Sequence, residues 1–571
     1  MMYKVLQIFQ LISFNFLSIL IAISAGKICL SFLKFGKNYK VSIYEQGLIG
    51  LILIGFLSIF LNFFFSLSQF LNSLITLFFF SFLFIRNNLN LIFKNIKKLF
   101  FLSLFSSIII IFSTVYAPDG SLYHIPYIKL LNDEKIIVGI SNINFRFALN
   151  SIVQYISAFH YNYLFKEVGI TIPLAIIPSF FIFFLLHKIL LSNNFFKNVD
   201  FFYIFILFFF LISSIYNFSR YSEYGNDAVA HIYYLYLICL FLDYRNIKEK
   251  NFIYTTLIIS IFLVANKLFF IFTFAIPLYL IIINKNYLFF KNKFFILSIF
   301  FIFLVVFKNI IISGCIFYPV KEFCFKSLYW TNIEEVYLQS LEGEAWAKGW
   351  VNQTQIQDFN EYSSNLNWLQ SWLNVHFKVI IQKFSPIIIF ILLFLLILKL
   401  SDLIFFKKRV IKPYLNKHLY FILLFSVLNF IFWFYKFPLY RYGYSFINVF
   451  FIILFSILFF KIFKKVNIFY LKKIIIITII ISFIGLFVKN SQRILISFYK
   501  EYSYYPWPNL VSMRLDNNYP SLEIVKVGDS FYYYSEDSAC MYLKSPCSNY
   551  LKKDLKYKKI ATYKIYYLNK L

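Results

Sequence analysis

The sequence predicts an all-α polytopic membrane protein of about fourteen transmembrane helices, followed by a small C-terminal α+β domain. Three observations carry that expectation. Of 571 residues, 61% are hydrophobic and only 14% are charged, whereas soluble domains carry about 25% charged residues. The apolar residues gather in runs such as Ile49 to Phe65, Ile170 to Leu186 and Leu419 to Tyr435, each long enough for the ~30 Å hydrocarbon core of a bilayer. The Lys and Arg residues behind the net charge of +30 punctuate those runs instead of lining one face, which excludes a nucleic-acid partner.

Taken in order, spans are expected near 5–25, 47–66, 69–85, 99–116, 170–190, 201–219, 228–242, 251–265, 268–284, 294–312, 379–398, 418–435, 444–460 and 474–489. The run Val5 to Ala25 has no strongly basic lead-in, so it reads as a first span and not a cleaved signal. The pair 251–265 and 268–284 is either two short spans hinged at Asn266-Lys267 or one long bent one. Alternate loops are basic, as at Lys27/Lys34/Lys37/Lys40, Arg86/Lys94/Lys97/Lys98 and Lys461/Lys464/Lys465/Lys472/Lys473, while 117–169 and 313–378 are balanced or acidic. The basic loops therefore belong in the cytoplasm, and 117–169, 220–227, 313–378, 436–443 and 490–571 face out. Three parts result: additional N-terminal spans over 1–98, a transmembrane core over 99–489, and a C-terminal extracytoplasmic domain over 490–571. The last has β-rich runs at Leu522 to Val527, Ser530 to Tyr534 and Ile560 to Tyr567.

Cysteine placement agrees. Cys29 and Cys239 sit in or beside apolar runs, as lone cysteines do. Cys315/Cys324 and Cys540/Cys547 are close-spaced pairs in segments placed outside, the oxidising compartment, and are expected as disulfides. Neither pair has His at ligand spacing, which argues against zinc.

Polar side chains cluster at the outer ends of spans. Asp119 follows a span in a Pro-Asp-Gly turn, near Tyr123 and His124. Asn142, Arg146 and Asn150 stand at i, i+4 and i+8, one face of a helix. Arg220, Glu223 and Asp227 share a second face, with His231 one turn beyond Asp227. Charges entering a span usually face a cavity or a partner. Lys267 marks the hinge, where a helix start would favour an anion, and Arg441 follows the twelfth span. Either cation alone reads as snorkelling, but all of these features fall on one side. The long loop holds five of the seven Trp between 330 and 372 and seven acids between Glu322 and Glu361, a surface suited to sugars or to a headgroup belt.

The stretches Asp119…Tyr123-His124, Gly139-Ile-Ser-Asn142…Arg146…Asn150-Ser151, Ser219-Arg-Tyr-Ser-Glu-Tyr-Gly-Asn-Asp227, Ser313-Gly-Cys-Ile-Phe-Tyr-Pro319 and Cys540…Pro546-Cys547 resemble an uncharacterised family of bacterial polytopic membrane proteins, a domain of unknown function. That architecture in turn resembles the GT-C superfamily, which transfers sugars from polyprenyl-phosphate donors outside the cytoplasm and places an essential acid in a first outer loop. Asp119 occupies that place here, after three additional spans. Many GT-C enzymes pair acids in a short motif, whereas the next acid after Asp119 is Asp133; the long loop also lacks a motif that maps onto an acceptor site.

The resemblance implies a lipid-phosphate-sugar-dependent glycosyltransferase of the bacterial inner membrane, working in cell-surface glycan assembly. Its partners would be membrane lipid, the polyprenyl-phosphate-linked donor and a glycan or lipid acceptor. Asp119 would take the acceptor proton or hold a divalent cation. Arg146, Lys267 and Arg441 would bind the donor phosphate, and Tyr123, His124, Asn142, Asn150, Arg220, Glu223 and Asp227 would line the cavity. A non-catalytic lipid-linked glycan translocator or a polysaccharide polymerase would use the same residues. A secondary transporter would need charges at mid-span.

Overall fold

The computed structural model describes residues 2–33, 41–112, 119–149, 151–190, 198–217, 221, 225–243, 252–284, 292–350, 358–404, 410–411, 417–462, 466–499, 505–511, 521–536 and 539–568. Each of the fourteen predicted segments carries a helix. Among the described residues, eight are long and apolar enough to cross a membrane, nine if the bent pair Gln69–Leu83 and Asn88–Ile111 is one span. Four others, Tyr203–Tyr216, Asp227–Leu242, Phe252–Asn266 and Leu268–Asn284, are apolar but short. At 1.5 Å per residue, fifteen residues reach only about 22 Å. The chain is thus a mostly helical, multi-helix apolar bundle with a small C-terminal strand region.

Three of these short helices, Tyr203–Tyr216, Asp227–Leu242 and Phe252–Asn266, are buried along almost their whole length. In α1 (Met2–Leu33) and α2 (Ile43–Asn62), packing is close because small residues face each other: a Cβ on Gly50 would stand 1.8 Å from the Ala22 carbonyl oxygen. After α3 (Gln69–Leu83), α4 (Arg86–Phe112), α5 (Ile125–Asp133) and α6 (Ile152–Phe159), helix α7 (Ile172–Leu190) packs on α8 (Asn198–Tyr216) and α9 (Asp227–Leu242). Every residue of α9 from Val229 to Phe241 is buried. The next helix, α10 (Phe252–Asn266), ends at the hinge. The chain then folds back through a 3-10 turn, Leu268–Phe274, into α11 (Ala275–Asn284). The Ser260 hydroxyl donates to the Thr273 carbonyl at 3.2 Å, pairing positions nearly equidistant from Lys267. Two short hinged segments are therefore present, not one bent helix.

Helix α12 (Lys293–Ser313) leads to the long loop with α13 (Ile333–Ala347). Four long helices follow: α14 (Lys378–Ile404), α15 (Lys417–Lys436), α16 (Tyr440–Ile462) and α17 (Ile468–Tyr499). Two-residue strands β1 (Val410–Ile411) and β2 (Val466–Asn467) pair between them. Because α17 runs to Tyr499, it passes the boundary expected at 490. The C-terminal region is also not α+β in its described residues: it holds β3 (Glu523–Val527), β4 (Ser530–Tyr534) and β5 (Cys547–Ser548) in one sheet, and β6 (Leu555–Ile560) with β7 (Tyr563–Leu568) in another. Alternating β-branched and Tyr residues favour strands there, and no apolar 3.6-residue period competes.

These strands are clasped onto the segment 119–149. Val138 bridges Ile565 in parallel, Tyr542 donates to Asn132 Oδ1 at 2.9 Å, Ser548 donates to the Ile143 carbonyl at 3.0 Å, and Lys552 lies 3.7 Å from Glu335. The segment 119–149, the long loop and the C-terminal region thus share one end of the bundle. Asn142 is the knot. Its buried amide donates to the carbonyls of Gly139 (3.1 Å), Trp330 (2.9 Å) and Tyr566 (3.0 Å), one from each part. Gly139 has φ 66°, and a Cβ there would meet the Tyr566 oxygen at 2.2 Å. Replacing Asn142 with Ala strands buried carbonyls and is expected to cost about 1–3 kcal/mol. In limited proteolysis the C-terminal region should then be released faster than in wild type; an unchanged cleavage rate would contradict the clamp.

The two close-spaced cysteine pairs are joined, Cys315 to Cys324 with Cα atoms 3.9 Å apart and Cys540 to Cys547 at 5.8 Å, while Cys29 and Cys239 are free and buried.

Candidate functional site

The site lies where the ends of five elements meet. Asp119 is the residue before a five-residue π-turn, Gly120–His124, that feeds α5. Its backbone is already helical, φ −56° and ψ −34°; Pro118 of the expected Pro-Asp-Gly turn lies outside the described residues. Arg146 sits in the 3-10 turn Phe145–Leu149, Asp227 is the first residue of α9, Lys267 is the hinge, and Arg441 is the second residue of α16.

Two ion pairs bridge these elements. Arg441 Nη1 donates to Asp119 Oδ2 at 2.7 Å, and Lys267 Nζ pairs with Asp227 Oδ1. Tyr442 lies between them, its ring centroid 4.1 Å from Lys267 Nζ and 5.1 Å from the Arg441 guanidinium carbon. Arg441 Nη2 also donates to the Tyr442 hydroxyl at 3.2 Å. Arg146 stacks over Tyr123, 5.4 Å from the ring centroid, and Tyr123 feels the charges of Asp119, Asp227 and Arg441. The three predicted cations are thus gathered around one group of residues. Asp119 and Asp227 interleave with them, leaving a net charge of +1 over the five groups.

The support is specific. His231 Nε2 meets the Arg441 carbonyl at 2.6 Å; since a carbonyl only accepts, Nε2 carries the hydrogen and Nδ1 accepts from the Ser445 hydroxyl at 2.8 Å. This fixes the start of α16 against α9. Tyr440 donates to Asn217 Oδ1 at 2.8 Å, tying the same turn to the end of α8. Asn266 accepts from Ser151 and donates to the Asn226 carbonyl at 3.2 Å, setting the hinge beside α6 and α9.

His124 is buried and its Nδ1 lies 3.1 Å from Gln154 Nε2. Burial above all lowers its pKa to about 4; Lys267 and Arg441 lower it further, and Asp119 and Asp227 raise it. The Tyr123 hydroxyl is pushed well above its ordinary range by burial first and by Asp119 next. An unfolded histidine binds its proton near pH 6.5. Between about pH 6.5 and about pH 4 the unfolded chain therefore holds a proton that folded His124 does not. Stability is full above that window and falls as pH drops through it, by up to about 3 kcal/mol for this one group. His160, likewise lowered to about 4 by burial, contributes in the same window. The melting temperature of the purified protein should fall from pH 6.5 to pH 4, and His124→Gln should flatten part of that slope. An identical slope in the variant would contradict the assignment.

Asn142 is not at this site, as its amide is committed to the clamp described above. Nor do Asn142 and Arg146 share a helix: Asn144 Oδ1 accepts from the Arg146 amide at 3.0 Å, and this local turn splits the segment into two 3-10 pieces. Asn150, Arg220 and Glu223 lie outside the described residues. Of the five Trp in the long loop, Trp368 and Trp372 are buried, Trp330 and Trp350 are half-buried and Trp346 is exposed, and Trp372 Nε1 donates to the Pro438 carbonyl at 2.7 Å. Tyr442 was missed by sequence reasoning, although its place directly after Arg441 was the available signal. Also missed was a polar cluster at the other end of α2, α7 and α9, where Lys188 Nζ stands 3.7 Å from both Glu45 and Asp243. Its signal was the capping box Ser42-Ile-Tyr-Glu45.

Among the described residues no three His, Cys, Asp or Glu side chains gather as metal ligands. Toward a cation the site offers Asp119 and Asp227, each already held by a basic side chain.

Fold and site together define a multi-helix apolar protein with a mixed-charge site at the end of the bundle that carries the C-terminal strands. A family model described as a domain of unknown function, DUF8201, matches residues 8–448, and the chain belongs to that family. The matched region contains Asp119, Arg146, Asp227, Lys267 and Arg441. Neither the curated proteins nor the solved structures contain a match.

Proposed function

We propose that the chain is a GT-C-like glycosyltransferase of the bacterial inner membrane, crossing it about fourteen times and using a polyprenyl-phosphate-linked sugar at the outer face. The observation that carries this reading is the Arg441–Asp119 pair, with Lys267, Tyr442 and Arg146 beside it. Arg441 is 46% exposed and Asp119 31%, so the pair adds only about 0–1 kcal/mol. A phosphate forming a bidentate contact with the guanidinium is a stronger partner. Donor binding would therefore take Arg441 and release Asp119 next to the sugar.

In the transfer step the acceptor hydroxyl oxygen attacks the anomeric carbon, and the bond from that carbon to the phosphate oxygen breaks. The lipid phosphate leaves with the electron pair. Asp119 accepts the hydroxyl proton, while Arg441 and Lys267 hold the charge that grows on the leaving phosphate. The experiment is transfer of labelled sugar from a polyprenyl-phosphate donor by the purified chain, read against Asp119→Asn. A translocator of lipid-linked glycans is the second reading, favoured by the fact that both carboxylates are already engaged by cations and need not serve as bases.

The topology in this proposal rests on the basic alternate loops and on the shared end of segments 119–149, the long loop and the C-terminal strands. Reporter fusions after Lys98, Lys293 and Lys473 should read cytoplasm, and fusions near Thr354 and Leu571 should read outside. A cytoplasmic signal at Leu571 would remove the topology and the outer-face site with it.

A further inference from the structure

The bundle has a second feature that the proposed chemistry does not use: a groove of about 280 Å³ between the ends of α8, α14 and α17. Its walls are apolar, with Ile212 from α8 and Pro386 and Phe390 from α14, and α17 contributes Gly485, Lys489 and Asn490. The perimeter position is clear, since only 22% of the span windows Leu369–Leu400 and Leu471–Gln492 is buried. Pro386 stands inside α14, where its ring and missing N–H disturb regular packing. Gly485 deepens the groove: a Cβ there would meet nothing within 4 Å.

The polar groups sit at one end of the groove, toward the side that carries the C-terminal strands. Lys489 Nζ lies over the Tyr216 ring, 5.4 Å from its centroid. Asn490 is 2% exposed, and its Nδ2 donates to the Leu486 carbonyl at 2.7 Å. That carbonyl can only accept, so it fixes the amide orientation and leaves Oδ1 as the second polar atom. Asn490 Oδ1 has no hydrogen-bond donor among the described residues. An occupant must therefore offer an anion to Lys489, a hydroxyl or other donor to Asn490, and an apolar chain to the slot running past Gly485, about 7 Å further along the helix axis.

We propose that this groove holds one anionic glycerophospholipid of the phosphatidylglycerol type. Its phosphate lies on Lys489, a headgroup hydroxyl donates to Asn490 Oδ1, and one acyl chain fills the slot beside Gly485 and Phe390. The lipid seats α14 and α17 against α8, whose end reaches the candidate site through Asn217 and Tyr440. A zwitterionic choline lipid lacks both the net charge and the hydroxyl donor.

The test is native mass spectrometry of the full chain ejected from nanodiscs made of equal parts phosphatidylglycerol and phosphatidylcholine with matched chains. Wild type should retain one phosphatidylglycerol in about fivefold preference, the scale of one interfacial lysine. Lys489→Gln should erase the preference while keeping some bound lipid. Gly485→Leu, which adds a side chain to open space on a helix, should cut retention about tenfold by occupying the slot. Both variants touch no residue of the candidate site, and thermal unfolding checks that they fold. Equal retention of phosphatidylcholine by wild type would overturn the proposal, as would wild-type retention in Gly485→Leu. Displacement of phosphatidylglycerol by an equimolar polyprenyl phosphate would overturn the choice of occupant.

Discussion

Replacing Asp119 with Asn is expected to lower sugar transfer by about 10²–10⁴-fold, the contribution of a positioned proton acceptor, while leaving insertion and folding intact. The isosteric amide keeps the shape at the start of the Gly120–His124 turn, and no side-chain cap is lost there. It can still accept one hydrogen bond from Arg441. What it cannot do is take a proton from an acceptor hydroxyl. Asp133→Asn is the matched control, because Asp133 pairs with Lys129 at 3.0 Å and accepts from Ser545 at 2.7 Å, away from Arg441. Transfer by Asp119→Asn at the wild-type rate would remove the enzyme reading and advance the translocator, which needs a binding site but no base.

Arg441→Gln is the second large effect. Loss of one preorganised donor to developing charge typically costs about 10²–10³ in rate, and this substitution removes a forked cation that no other side chain replaces. Arg441→Lys should recover part of the donor binding but little of the rate, since an ammonium cannot present two parallel donors. The Arg441 backbone carbonyl, which holds His231, is unaffected by either change. Thermal unfolding should therefore shift little while the Michaelis constant for the donor rises. A wild-type Michaelis constant in Arg441→Gln would place the phosphate elsewhere.

Much of the helical framework was legible because a run of apolar residues has few alternatives, and the hinge at Asn266-Lys267 and both cysteine pairs stood at readable spacings. The lengths of the interior helices were harder to read: α9 and α10 are continuously apolar, yet they are 16 and 15 residues long and buried behind longer neighbours. The polar stripe Asn142–Arg146 misled because an i, i+4 spacing is helical only when nothing local competes, and Asn144 competes. Asn142 read as a ligand-facing group, whereas two of its three carbonyl partners, Trp330 and Tyr566, stand 188 and 424 residues away in the chain, contacts that no local pattern encodes. The same holds for the pairings of Asp119 with Arg441 and Asp227 with Lys267. Each ion was visible as a charge at a span end, but its partner was fixed only when α9, the hinge and α16 met.

The claim that joins these points is that a lipid phosphate replaces Asp119 on Arg441. The direct measurement is an electron cryo-microscopy structure of the full chain in nanodiscs with a polyprenyl phosphate. The account predicts phosphate density within hydrogen-bonding distance of the Arg441 guanidinium and beside Lys267, with the Asp119 carboxylate turned away from Arg441. An intact Arg441–Asp119 pair with the lipid phosphate bound anywhere else would contradict it.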